Sequence, residues 1–160
     1  MIVQIGEEDW DRLRDVRLRA LEQDPAAFLE TRANASTFPE EHWRMRATPN
    51  DAQASFALER DGRFEGLVAC FVADDPATVF LVAMWVAAEL RGSGAARGLV
   101  DAVIDWARVR RAARVCLSVE GDNLRAARLY EKCGFVETLD PPPFPYEPNP
   151  GNRFYVYELS

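Results

Sequence analysis

Residues 79–86 read VFLVAMWV, and residues 91–97, after a short polar turn, read RGSGAAR. The nearly all-apolar run predicts a central strand that is buried on both faces. Gly92 and Gly94 come directly before a predicted helix, and without side chains they let a ligand approach the backbone closely. The free N–H groups and the dipole of the first helical turn favour an anion, to which the two arginines of the segment add positive charge. We therefore predict a phosphate site, although glycines also precede helices for packing or turn reasons alone.

Elsewhere in the chain, changes in the period of the apolar residues separate strands from helices. The predicted elements in order are a strand at 2–5, helices at 9–23 and 38–46, a hairpin of strands at 52–58 and 64–72 around Asp61-Gly62, the strand at 79–86, a helix ending near residue 110, a strand at 115–119, a helix at 124–133, and strands at 135–138 and 154–159. Thr37 and Glu40 have the spacing of a capping box for the second helix, and Gly134 ends the last one. The proline-rich run 140–152 is expected to be an extended loop, either on the surface or lining a cleft. This order of elements predicts an α/β (α+β) fold with a mixed sheet.

The composition is typical of a globular protein, and we expect a single domain that spans residues 1–160. The formal net charge of -7 argues against a nucleic-acid partner, which needs a basic face. No stretch reaches the roughly 18–20 apolar residues of a membrane span, and no signal peptide is indicated, so we expect a cytoplasmic protein without a membrane partner. The single histidine and three cysteines lack metal-ligand spacing, which predicts no metal site.

Two motifs in the chain resemble those of a known family. Residues 91–96 (RGSGAA) fit [QR]-x-x-G-x-[GA], and residues 123–135 (NLRAARLYEKCGF) are similar to N-x-x-A-x-x-L-Y-x-K-x-G-F. Both patterns, in this order and with a strand between them, are typical of the GNAT superfamily of N-acetyltransferases. The chain departs from the family at Ala88, where proline is frequent, and at Ala95, where a β-branched residue is common. Neither departure removes a backbone hydrogen-bond donor.

The resemblance implies a mostly antiparallel GNAT-like sheet with helices on both faces. It also implies a cleft for acetyl-CoA where the strand at 84–86 splays from the strand at 115–119. The strand would contact the pantetheine arm and the acetyl carbonyl, and the turn at 91–96 would hold the diphosphate. The cofactor-binding residues implied in this way are Met84, Trp85, Val86, Arg91, Gly92, Ser93, Gly94, Ala95, Ala96, Arg97, Asn123 and Tyr130.

The resemblance also assigns catalytic roles. Tyr130 matches the tyrosine that protonates the departing thiolate, although its spacing also suits a residue packed on the buried face of a helix. Asn123 matches a contact to the pantetheine arm, and it is equally suited to cap the helix that begins at Leu124. The family has no universal general base. Glu120, directly after a predicted strand, is the first candidate and Glu89 the second, and each is otherwise an ordinary surface carboxylate.

The acceptor is expected to contact the variable parts of the chain. The candidate substrate-binding residues are the aromatic side chains Phe28, Phe38, Trp85, Phe144 and Tyr146, for which the alternative, as for Trp43, is plain core packing. We expect a small-molecule amine if the proline-rich loop closes the site, and a peptide or protein amine if a groove stays open. A catalytically silent acyl-CoA sensor is a third hypothesis. The oligomeric state stays open, with a homodimer as one option.

Overall fold

A computed structural model describes residues 1–159, and in these residues seven strands form one sheet in the order β1-β2-β3-β4-β5-β7-β6. The elements are β1 (Ile2–Gln4), α1 (Trp10–Gln23), α2 (Arg32–Ala35), α3 (Glu40–Ala47), β2 (Gln53–Arg60), β3 (Arg63–Val72), β4 (Thr78–Val86), α4 (Ala95–Val109), β5 (Arg114–Val119), α5 (Leu124–Lys132), β6 (Val136–Thr138) and β7 (Arg153–Glu158). Neighbouring strands are antiparallel except β4 and β5, which are parallel. The predicted mixed, mostly antiparallel sheet is confirmed. The short helix α2 is absent from the sequence prediction.

Helices cover both faces of the sheet because successive strand residues point to opposite sides. Ala57 and Leu67 pack with Trp43 among the buried residues of α1, α2 and α3. Their chain neighbours Phe56 and Val68 pack instead among the buried residues of α4 and α5. We call these two sides the α1 face and the α4 face. Trp43 is fully buried in this structure and belongs to the core of the α1 face.

A bulge in β4 changes which side chains reach each face. The register pairs Leu67 with Trp85 but Ala69 with Val82, so one residue of β3 opposes both Ala83 and Met84. Ala83 takes a positive φ of 59° to accommodate the extra residue. Leu81, before the bulge, packs on the α4 face, and Trp85, four residues later, packs on the α1 face. Strict alternation would have placed both side chains on one face.

The sheet opens between β4 and β5. These strands pair only at Thr78, Val79 and Phe80 of β4, opposite residues 114–116 of β5. β5 continues to pair with β7 as far as Val119, and β4 continues along β3 as far as Val86. The two strands therefore diverge and leave facing edges without a ladder between residues 81–86 and 117–119. The splay that the family resemblance implied is present in the fold.

The helix ends agree with the predictions at α5 but not at α3. Asn123 caps α5, its Oδ1 accepting from the N–H of Ala126 at 3.1 Å, and Gly134 follows the helix with φ of 100°. The predicted capping box of Thr37 and Glu40 is wrong. The Thr37 hydroxyl donates to the Asn34 carbonyl at 2.7 Å, and the N-cap of α3 is a proline, which has no side chain to accept a hydrogen bond.

None of the helices in residues 1–159 is both long and apolar enough to cross a membrane.

The α1 face supplies a test of core packing. Trp43→Ala should lower the free energy of unfolding by about 3–5 kcal/mol, because a large fully buried side chain is lost. Trp43→Phe should lower the free energy of unfolding by clearly less. It keeps an aromatic ring, and it removes a buried indole N–H that has no hydrogen-bond partner in the described chain. Urea unfolding measures both values. Equal losses for the two variants would contradict this account.

Candidate active site

A cavity of about 600 Å³ occupies the opening between β4 and β5. Its walls include residues 81–86 of β4 and 117–120 at the end of β5. The cavity also reaches both faces of the sheet, since Ala96 and Tyr130 line it from the α4 face and Arg17 lines it from the α1 face. Two molecules entering from opposite faces can therefore meet between the two strands.

The turn at 91–97 presents free backbone donors at the α4-face end. Gly92 and Gly94 have φ of 83° and 88°, a conformation that L side chains rarely adopt. The N–H groups of Gly92, Gly94, Ala96 and Arg97 make no hydrogen bond with any part of the chain that the structure describes. Together with the N-terminus of the long helix α4, these donors form the kind of concave site that binds phosphate groups.

The two arginines of this turn do not face the same anion. The Arg91 guanidinium is directed away from the turn, its Nε donating to the Val86 carbonyl at 3.1 Å and its Nη2 to Asp24 Oδ2 at 2.8 Å. Arg97 is exposed and donates to the Lys132 carbonyl at 3.4 Å. Arg91 and Gly92 line the large cavity, whereas Ser93, Gly94 and Ala95 line a smaller hollow beside Ile2. An anion bound at this turn would therefore contact mainly backbone groups.

Asp24 is a site residue that the sequence did not reveal. One carboxylate oxygen, Oδ2, accepts both from the Trp85 indole Nε1, at 2.8 Å, and from Arg91. These two hydrogen bonds hold the ring of Trp85, which the bulge in β4 directs to the α1 face, beside the cavity. They also fix the side chain of Arg91. In the sequence, Asp24-Pro25 signals only the end of a helix, and its partners lie more than 60 positions away.

The wall from α5 carries Asn123, Ala126 and Tyr130, which share one side of the helix. Tyr130 is only 4% exposed, and its ring packs edge-on against Phe135 with centroids 5.7 Å apart. Burial raises the pKa of Tyr130 well above that of a free phenol. The hydroxyl is therefore protonated throughout the physiological range and is available as a hydrogen-bond donor inside the cavity.

The proline-rich loop lines the cavity near the end of β5. Asn149 donates from Nδ2 to Glu120 Oε1 at 2.8 Å, and Tyr146 lines the cavity beside it. The contact depends on a glycine, because a Cβ on Gly121 would lie 2.3 Å from the Gly151 carbonyl oxygen. Glu120 thus lines the cavity, whereas Glu89, the other candidate base, is exposed and lies outside its lining.

Comparison with known proteins agrees with this arrangement. The model of the acetyltransferase (GNAT) family matches residues 10–135. The chain belongs to this family. It is 32% identical to the [ribosomal protein bS18]-alanine N-acetyltransferase of Escherichia coli (strain K12) over 114 residues, which cover 71% of this chain and 74% of that protein. Identity is also 32% to the mycothiol acetyltransferase of Beutenbergia cavernae, across 81% of this chain but only 55% of that protein.

Solved structures of GNAT proteins share the whole fold. An acetyltransferase of the GNAT family from Staphylococcus aureus Mu50 superposes with a TM-score of 0.78 at 18% identity, covering 100% of this chain and 99% of that one. The ribosomal-protein-S18-alanine N-acetyltransferase of Escherichia coli gives a TM-score of 0.69 at 19% identity, covering 100% of this chain and 94% of that one. The enzyme is thus an N-acetyltransferase of the GNAT family.

Three of the five aromatic candidates for acceptor binding line the cavity of this GNAT enzyme: Phe28, Trp85 and Tyr146. The other two do not. Phe38 stacks on His42, with ring centroids 4.1 Å apart. Phe144 packs on Phe80, with centroids 4.7 Å apart, and anchors the proline-rich loop to the sheet. An aromatic residue in a variable loop does not reveal by its identity whether it faces a ligand or the sheet.

The Gly121–Gly151 contact gives a test of loop closure. Gly121→Ala should displace the loop, because its methyl group would overlap a backbone oxygen, and should lower the free energy of unfolding by about 1–3 kcal/mol. Chymotrypsin should then cleave after Tyr146 faster than in the unmodified enzyme. Asn149→Ala, which removes only the hydrogen bond to Glu120, is the matched control and should have a smaller effect. Unchanged cleavage in Gly121→Ala would contradict the close approach of these two glycines.

Proposed function

We propose that this GNAT enzyme transfers the acetyl group of acetyl-CoA to the primary amine of a small molecule. The observation that carries the proposal is the opening between β4 and β5. It joins a turn of free backbone N–H groups on one face of the sheet to a cavity wall with charged side chains on the other face.

The proposed cofactor site follows from the free donors. The diphosphate of acetyl-CoA would bind the N–H groups of Gly92, Gly94 and Ala96, where the glycine conformations leave room for a close approach. The pantetheine arm would run along the free edge of β4 at residues 84–86, beside the Asn123 side of α5. Acetyl-CoA supplies an acetyl group activated as a thioester. Backbone N–H groups on the free edge of β4 would stabilise negative charge on the acetyl oxygen.

Tyr130 and Glu120 would handle the protons of the transfer. The buried Tyr130 hydroxyl would donate to the departing sulfur as a general acid. Because a thiol has a pKa of about 8.5, below that of this phenol, the chief contribution is a hydrogen bond to the developing thiolate. Glu120 would accept the proton of the acceptor ammonium, directly or through water. Its Oε2 makes no hydrogen bond within residues 1–159, and Asn149 holds only Oε1.

The residues that line the acceptor end favour a small molecule over a peptide. Tyr146, Asn149 and Asn152 of the proline-rich loop line the cavity, and Phe28 of the segment after α1 lines it as well. A peptide needs a groove that stays open at both ends, so it would require the loop to move. The protein amine remains a second candidate, because a relative with 32% identity is an alanine N-acetyltransferase of a ribosomal protein.

The proposed role of Tyr130 can be separated from a packing role. Tyr130→Phe should lower kcat about a hundredfold with little change in the affinity for coenzyme A, because only the leaving-group step loses a donor. Tyr155→Phe is the matched control, since that tyrosine is equally buried, its hydroxyl has no partner within the described chain, and it does not line the cavity. Steady-state kinetics and calorimetry supply the two readouts. Equal kcat values for Tyr130→Phe and the unmodified enzyme would remove Tyr130 from the mechanism.

The diphosphate site is tested at Gly94. Gly94→Ala adds only the strain of a side chain at φ of 88° and should weaken binding of coenzyme A modestly. Gly94→Glu adds the same strain and a negative charge, and should weaken binding at least tenfold further. Calorimetry with coenzyme A measures both. If the two variants bound coenzyme A equally, the anion would not lie at this turn.

The function as a whole is tested by thiol release from acetyl-CoA across a panel of small amines and N-terminal peptides. Faster turnover of small amines supports the proposal, and faster turnover of peptides favours the protein amine. Tight binding of coenzyme A without turnover of any amine would instead identify a catalytically silent sensor.

A further inference from the structure

The acceptor end of the cavity contains a buried arginine with unused donors. Arg17, on α1, lines the cavity and is only 7% exposed. Its Nε and Nη1 have no hydrogen-bond partner within residues 1–159, and only Nη2 reaches a carboxylate, Glu30 Oε1, at 3.4 Å. Burying a guanidinium whose donors make no hydrogen bonds lowers the free energy of unfolding, unless an anion binds and accepts hydrogen bonds from those donors. The Phe28 ring lies 4.7 Å from its central carbon and holds the group in place.

A second arginine shares the same carboxylate. Arg46, on α3, also lines the cavity, and its Nη1 lies 3.8 Å from Glu30 Oε1. Burial, followed by the nearby charge of Arg46, lowers the pKa of Arg17 to about 10, although Glu30 acts in the opposite direction. His42 beside them adds no charge at neutral pH, because burial and Arg46 lower its pKa. Two cations and one carboxylate leave this cluster with a net charge of about +1.

The cluster lies on the acceptor side of the site. Arg17, Glu30 and Arg46 belong to the helices and connecting segment of the α1 face, whereas the free N–H groups of the turn lie on the α4 face. The other charged groups of this wall are already paired, since Asp24 is bound to Arg91 and Trp85. A ligand that enters from the α1 face therefore meets Arg17 and Arg46, whose two positive charges face only one carboxylate, that of Glu30.

We propose that the acceptor of this enzyme is a small amine that also carries a carboxylate, and that the carboxylate binds between Arg17 and Arg46. The proposal rests on the proposed N-acetyltransferase function and names its substrate class. A carboxylate matches the site better than a phosphate does, because its single negative charge balances the excess of one positive charge. Its two oxygens also suit the planar fork of a guanidinium.

The experiment compares acceptor pairs that differ only in charge. β-Alanine and its amide, and glycine and its amide, are assayed by thiol release on the unmodified enzyme and on Arg46→Gln. The unmodified enzyme should favour the carboxylate member about tenfold to a hundredfold in kcat/KM, and Arg46→Gln should lower this ratio about tenfold or more. Because each pair is measured on both proteins, differences in the intrinsic reactivity of the amines cancel.

Two further variants sharpen the test. Arg44→Gln, on the same helix but half-buried and outside the cavity, should leave the ratio unchanged. Glu30→Gln removes the shared carboxylate and should raise the preference for anionic acceptors. Circular dichroism and thermal unfolding verify that each variant is folded. A ratio near one in the unmodified enzyme, or a ratio that Arg46→Gln leaves unchanged, overturns the inference while the N-acetyltransferase function stands.

Two further measurements test the choice of a carboxylate over a phosphate-type anion and the case in which no amine is turned over. 2-Aminoethylphosphonate should be a poorer acceptor than β-alanine, and the reverse result would assign the site to a phosphate-type anion and overturn the carboxylate. If no amine is turned over, the proposed function fails. The inference is then decided by calorimetry on the coenzyme A complex, where N-acetyl-β-alanine should bind at least tenfold more tightly than its amide. Equal binding of the two overturns it.

Discussion

The separation of β4 from β5 is the constraint on which the site depends, because it converts the centre of a sheet into a cavity. A parallel pair normally hydrogen-bonds along its whole length, but here the ladder stops after Phe80 and Cys116. The flanking pairings of β4 with β3 and of β5 with β7 continue past this point, so the strands cannot close the gap. The resulting free backbone edges line the cavity, where they are available to a ligand.

Other features of the fold adapt the molecule to this opening. The bulge at Ala83 turns Trp85 toward the α1 face, where its indole N–H and the Arg91 guanidinium meet the same oxygen of Asp24. One carboxylate thus ties the end of α1 to the strand and to the turn that precedes α4. The proline-rich loop covers the other rim, anchored by Phe144 on Phe80. The opening is therefore bounded by contacts between segments that are far apart in the chain.

The positive potential at the two ends of the cavity comes from different groups. At the turn before α4, the positive potential comes from backbone N–H groups, and the arginine side chains are directed elsewhere. At the acceptor end, it comes from the Arg17 and Arg46 side chains, which share Glu30. The overall charge of -7 gave no indication of either site, because the potential inside a cavity is set by its near neighbours. In the proposed function, this acidic protein would therefore receive anionic groups from both faces of its sheet.

Local sequence patterns predicted the order of the elements except for α2, the strand and glycine turn of the family motif, and the caps of α5 at Asn123 and Gly134. These features depend on residues close together in the chain, so local periodicity and turn chemistry reveal them. The tertiary structure decided which side chains meet in the cavity: it added Asp24 and Arg17, and it left Phe38 on His42. Such contacts depend on the bulge, on the splay and on the way the α1 face packs. The contacts in the cavity join residues from separate elements of the chain. Local sequence patterns describe only residues that are close together, so they could not predict these contacts.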